Sequence, residues 1–127
     1  MQECQTSRET RYLADHGEID LGTLKAYLTG MLFEWDEAKS RRNLSERGLG
    51  FDYAARIFLG PTLEKQDTRR DYGEIRMQAI GQVSDDALFV VYTDRGNARH
   101  IISARLASRK ERRSWHSFAE HWKTSVG

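Results

Sequence analysis

Arginine dominates the side chains of this sequence that are equipped to act on a ligand. From Arg95 to Arg113 the chain carries Arg95, Arg99, Arg105, Arg109, Lys110, Arg112 and Arg113 against Glu111 alone. That density of positive charge suits a polyanion or an acidic partner. A guanidinium offers a planar fork to two anionic oxygens at once and stays charged at any working pH, so it binds phosphate well and makes a poor base. Strand alternation over Ala98–Leu106 puts Arg99, Ile101, Ser103 and Arg105 on one face and His100, Ile102, Ala104 and Leu106 on the other. With Arg76 on a neighbouring strand and Lys39 approaching from a helix, Arg76, Arg99 and Arg105 would form a cationic floor for a phosphate group. The alternative is that these arginines pair on the surface with Glu74, Asp94 and Glu111, as exposed charges commonly do.

Groups that could move a proton are fewer. His100 has the side chain whose resting pKa best suits acid–base work near neutrality, although alternation separates it from Arg99 and Arg105. Tyr92 offers a hydroxyl at the end of a strand as proton donor or stacking surface, against the usual fate of a strand aromatic as core. Trp35 either anchors the helix that follows it or stacks on a nucleobase. Arg109, Lys110, Arg112 and Arg113 open a helix, where cations oppose the positive end of the dipole. Phosphates or an acidic partner segment would offset that cost; the alternative is a solvated helix start. His116 and His121 show no zinc-ligand spacing and read as helix surface, and no Gly-rich phosphate cradle surrounds Gly81 or Gly96. With Cys4 as the single cysteine, disulfide and common zinc scaffolds are excluded, and neither metal nor cofactor is expected.

These residues need elements to position them. A chain of 127 residues, 39% hydrophobic and 31% charged, suits one domain. It has no apolar run long enough for a membrane helix and no secretory layout at its start, and it reads as cytoplasmic. Residues 1–30 are acid-rich and form an extension or a mis-called upstream start, with short helices after Ser7 to His16–Gly17 and over Asp20–Leu28. The domain proper runs over residues 31–127. Phe33–Trp35 is a strand; Asp36 caps a helix to Arg47 that Gly48 stops. A second helix opens at Gly50–Phe51, buries Phe51, Ala54, Ala55, Ile57 and Phe58, and ends at Gly60–Pro61. The period then shifts towards two, with strands at Thr62–Lys65, Glu74–Gly81, Ala87–Thr93 and Ala98–Leu106. The short links Ser84–Asp86 and Asp94–Asn97 force antiparallel hairpins. Ser108 caps a closing helix, Arg109 to about Trp122, whose Trp115, Phe118, Ala119 and Trp122 cover one sheet face. The fold class is α+β: two helices, an antiparallel meander of about four strands, and a C-terminal helix.

Six blocks in order are familiar: Phe33-Glu-Trp-Asp-Glu-Ala-Lys39; Asn43-Leu and Gly48; Phe51, Ala54-Ala55 and Phe58; Arg76-Met-Gln-Ala-Ile-Gly81; Ile101-Ile-Ser-Ala-Arg105; and Glu111-Arg-Arg. Over residues 33–115 the chain resembles the BrnT family of toxins. The resemblance implies a RelE-like fold and a ribonuclease toxin of a type II toxin-antitoxin system. It also implies an RNA substrate and a BrnA-like antitoxin, with operator DNA bound only through the antitoxin complex and no membrane partner. Metal-independent RNA cleavage needs a base for the 2′-hydroxyl proton, cations for the phosphorane charge and an acid for the leaving 5′-oxygen. On that reading Arg76, Arg105, Arg99 and Lys39 supply charge, and His100 and Tyr92 handle protons. Arg109, Lys110, Arg112, Arg113 and Trp35 then hold RNA. One departure stands out: many relatives carry Lys-His-Gly where this chain has Glu46-Arg47-Gly48, so no role of that imidazole transfers. The competing readings are a non-catalytic nucleic-acid-binding module and an inactive regulatory relative.

Overall fold

The computed structural model describes residues 23–28 and 30–126. In chain order the elements are β1 (Thr23–Leu28), β2 (Met31–Asp36), α1 (Glu37–Arg47) and α2 (Phe51–Ala54), which continues as a 3-10 turn (Ala55–Leu59). There follow β3 (Leu63–Gln66), β4 (Met77–Val83), β5 (Asp86–Arg95), β6 (Ala98–Leu106) and α3 (Arg109–Val126). The local signals act as their chemistry requires. Asp36 accepts from the Ala38 and Lys39 amides at the start of α1, and Gly48 closes it in the left-handed region at φ 83°. Ser108 and Glu111 form a reciprocal capping box on α3.

One six-stranded sheet runs in the order β1-β2-β6-β5-β4-β3. Strands β3 to β6 are the expected antiparallel meander, with tight turns between Val83 and Asp86 and between Arg95 and Ala98. Beside it β2 pairs parallel to β6, and β1 pairs antiparallel to β2. Over Thr23–Leu28 the helix expected from Asp20 is therefore corrected to strand β1: Leu24, Ala26 and Leu28 alternate with period two, and a short apolar segment takes the structure its neighbour dictates. The helix expected after Ser7 lies outside the described residues. The second expected helix survives as one α turn that tightens into a 3-10 turn.

Pairing of β2 with β6 ends at Ile101, and α1 takes over the exposed edge beyond it. Asn43 donates to the carbonyls of Leu49 (2.9 Å) and Ala104 (3.0 Å), and Arg47 donates to Ala104 (3.2 Å). The main core lies on the α2 face of the sheet, where Phe33, Trp35, Val90, Tyr92 and Ile101 pack against Phe51, Ala54 and Ile57. Gly81 permits that packing, because a Cβ there would sit 2.6 Å from Cβ of Ile57. On the other face Trp115 and Phe118 of α3 cover Ala87, Leu63 and Ile80; the Trp122 side chain lies outside the described residues. No described helix is long and apolar enough to cross a membrane.

A bulge changes what β6 presents. Val91 pairs with Ser103 but Tyr92 pairs with Ile101, so Ile102 is an extra residue and the alternation inverts across it. Cross-strand partners share a face. Arg99 and Ile101 therefore join Tyr92 and the buried core on the α2 face, whereas His100, Ser103 and Arg105 share the α3 face. The regular alternation expected from sequence is corrected at this point.

Candidate functional site

On the α3 face Arg105 stands over the ring of Phe89, its cross-strand partner, with the guanidinium carbon 4.1 Å from the ring centre. Glu111 grips the same guanidinium through both oxygens, at 2.9 and 3.0 Å, while one oxygen also accepts the Ser108 amide. The Arg105 bonds, outweighing burial, hold the Glu111 carboxyl below the usual carboxylate range. One carboxylate thus ties β6 to the first turn of α3. Beside it opens a hollow of about 410 Å³, floored by Leu63, Ile80 and Phe89 and edged by Lys65, Gln78 and Lys110 together with the acidic Glu64 and Glu111. Arg109 and Arg113 are exposed at the start of α3, and Arg112 donates to the Ala107 carbonyl at 2.9 Å.

Farther along the same face stands His100, with Nδ1 3.1 Å from Oε2 of Glu34 across the β2–β6 pairing. Both side chains are largely buried. Thr93, opposite His100 on β5, donates to the Ile75 carbonyl at 2.7 Å. Continuing the β4–β5 register beyond Met77 and Tyr92 places Arg76 in the row of Thr93. Its Nε lies 3.1 Å from Glu74, and its guanidinium 4.1 Å from the Tyr72 ring centre. Burial draws the Glu74 carboxyl upward, but hydrogen bonds from Arg76 and Arg95 outweigh it and the net direction is down. Asp67 latches the loop that precedes β4. Its amide donates to the Arg76 carbonyl, and its carboxylate, 3% exposed as a residue, takes two side-chain bonds and one backbone bond from Arg69. Arg69 holds that carboxyl far below the ordinary range.

Arg99 belongs to a different assembly. Its guanidinium lies 4.1 Å from the Tyr92 ring centre and 4.9 Å from that of Phe58, with Asp94 accepting at 2.8 and 3.1 Å. The Tyr92 hydroxyl donates to Glu64 at 2.5 Å, and burial, with that bond, raises its pKa. The expected floor of Arg76, Arg99 and Arg105 is therefore not formed. Arg99 is behind the sheet, and the other two stand at opposite ends of the α3 face. All three arginines have the acidic partners that the alternative reading named: Glu74, Asp94 and Glu111.

Lys39 is exposed on α1, and the structure does not bring it to the Arg105 hollow. Trp35 is 2% exposed and its indole N–H donates to Glu37, so the reading in which it stacks on a base is corrected to that of a helix anchor. Arg47 serves the β6 edge through its bond to the Ala104 carbonyl. Sequence reading found Arg105 and Lys110 but not Lys65, Gln78, Phe89 or Glu34. The first three meet only through the β3–β4–β5 register, which sets Leu63 beside Ile80 and Lys65 beside Gln78 along one face and has no local signal.

The model of a protein family described as the ribonuclease toxin BrnT of type II toxin-antitoxin systems matches residues 35–111. The match begins at the buried Trp35 and ends at Glu111, so it contains the bulge and the hollow's lining apart from Ser114. No curated protein matches the chain.

Proposed function

Because the chain belongs to the BrnT family of ribonuclease toxins from type II toxin-antitoxin systems, we propose that it takes RNA on the α3 face of the sheet. It cleaves there without a metal ion, through attack of the RNA's own 2′-hydroxyl. The observation that carries this reading is the bulge at Ile102, which gathers His100 and Arg105 onto one face. About 15 Å of β6 separates them, a span of a few nucleotides.

Arg105, Lys65 and Lys110 hold phosphates at the hollow, and Arg109 and Arg113 extend the basic surface along α3. At the other end Nδ1 of His100 lies 3.1 Å from Glu34, and in the tautomer with the proton on Nδ1 the ring offers Nε2 as acceptor for the 2′-hydroxyl proton. The new O2′–P bond forms as the P–O5′ bond breaks, Arg76 stabilises the charge on the phosphorane, and the leaving oxygen is protonated from solvent. The products are a 2′,3′-cyclic phosphate and a 5′-hydroxyl. A BrnA-like antitoxin silences the protein by covering this face, and operator DNA is reached only through that complex.

Purified protein incubated with RNA in EDTA is expected to give cyclic-phosphate ends. His100→Ala, checked for folding by circular dichroism, lowers the rate by about a hundredfold or more. Intact RNA with tight, salt-sensitive binding would establish the non-catalytic binding module instead.

A further inference from the structure

We infer that the hollow between β3, β4 and α3 is a single-nucleotide subsite in which Gln78 reads the base and Lys65 holds its phosphate. This deepens the nuclease reading by naming what selects the RNA. Three observations converge. Lys65 and Gln78 are direct cross-strand partners on the face that α3 covers, so their Cβ atoms lie about 5 Å apart. An amide and an ammonium side by side match a base edge and the phosphate of the same nucleotide. The floor is apolar and aromatic, formed by Leu63, Ile80 and Phe89, a surface against which an unstacked RNA base can rest.

The state of the amide itself is the third observation. Gln82, on the same face of β4, is engaged at both ends, donating to the Ser84 carbonyl at 2.9 Å and accepting the Trp115 indole N–H at 3.0 Å. Among the described residues no hydrogen bond engages the Gln78 side chain. A carboxamide half-buried over Ile80 and Phe89 carries two donors and an acceptor, enough to pair with one base edge and to mismatch another. Lys110 on the far rim is placed for the next phosphate.

The test is titration of the full chain with each of the four ribonucleoside 5′-monophosphates, followed by amide NMR shifts and read as Kd. One base is expected to bind about tenfold more tightly than the worst. Gln78→Leu should bring all four within about twofold of one another, and Lys65→Ala should weaken all four about equally and keep their order. If Gln78→Leu fails to fold, Gln78→Glu, which keeps the shape and loses the donor, should reorder the four bases. Equal binding by the wild type, an order that survives at position 78, or shifts that leave Leu63, Ile80 and Phe89 unmoved would overturn the inference. Ranked binding without RNA cleavage would remove the nuclease reading and leave the subsite; cleavage with unranked binding would do the reverse.

Discussion

Arg99 and Arg105 are the same residue type on the same strand, and their surroundings give them opposite work. Arg99 is 18% exposed at its side chain, lies against Tyr92 and Phe58 and is held by Asp94. Arg105 is 40% exposed and faces the hollow's edge through Glu111. Replacing Arg99 by alanine removes two cation–π contacts and uncovers part of the aromatic cluster, a loss of about 1–2 kcal/mol. We expect Arg99→Ala to lower the urea midpoint while the folded fraction cleaves RNA at the wild-type rate. Arg105→Ala removes one cation–π contact and a partly exposed ion pair, so it should lower the unfolding free energy by no more than about 1 kcal/mol and should impair RNA binding. Denaturation curves and cleavage assays on the two variants give the comparison, and the reverse pattern would place the working face on the α2 side.

Elements declared themselves in the sequence wherever their signals are local. The Asp36 cap, the Gly48 stop, the Ser108 cap and the two hairpin turns each depend on neighbours within a few positions, and the structure has them all. Long-range pairing is a different matter. Nothing near Phe33 announces that β2 will lie parallel to β6, and nothing near Thr23 that β1 will lie outside β2. The bulge left no local trace, because only the partner strand decides which residue of β6 is extra. For the site this meant that Arg105 and Lys110 were legible as charge, while Gln78 and Lys65 needed the register. Element-level contacts are testable in the same terms. Asn43→Ala removes both bonds that join α1 to Leu49 and Ala104 and should cost about 1–3 kcal/mol by urea denaturation. The loop latched by Asp67 adds a pH dependence. Its carboxyl is protonated far less readily folded than unfolded, so the unfolded chain binds protons first as pH falls below about 4. The stabilisation is fully present above that pH and is lost progressively as pH falls from there towards the depressed folded value. Urea midpoints measured from pH 5 down to pH 3 should therefore fall less steeply for Asp67→Asn than for the wild type.

At the scale of the molecule a formal charge of +1 conceals a division of labour between two faces. The α2 face carries most of the buried apolar surface, and the α3 face carries Lys65, Arg105 and the basic start of α3. Binding of single-stranded RNA there should follow counterion release, with log K falling against log salt by about 0.7 for each phosphate neutralised. Removing Lys110 should reduce the slope by about that amount at every RNA sequence. Glu111 complicates the ledger of charge, because it already neutralises Arg105 in the free protein and an incoming phosphate must displace it. Glu111→Gln separates its two roles. Glutamine still accepts from the Ser108 amide and keeps the helix start intact, while the guanidinium is released from its internal counterion. We therefore expect Glu111→Gln to bind RNA more tightly than the wild type at low salt and with a steeper slope, with the α3 helix retained by circular dichroism. A slope equal to or shallower than that of the wild type would mean that Arg105 never meets phosphate, and that its bond to Glu111 serves only to hold α3 against the sheet.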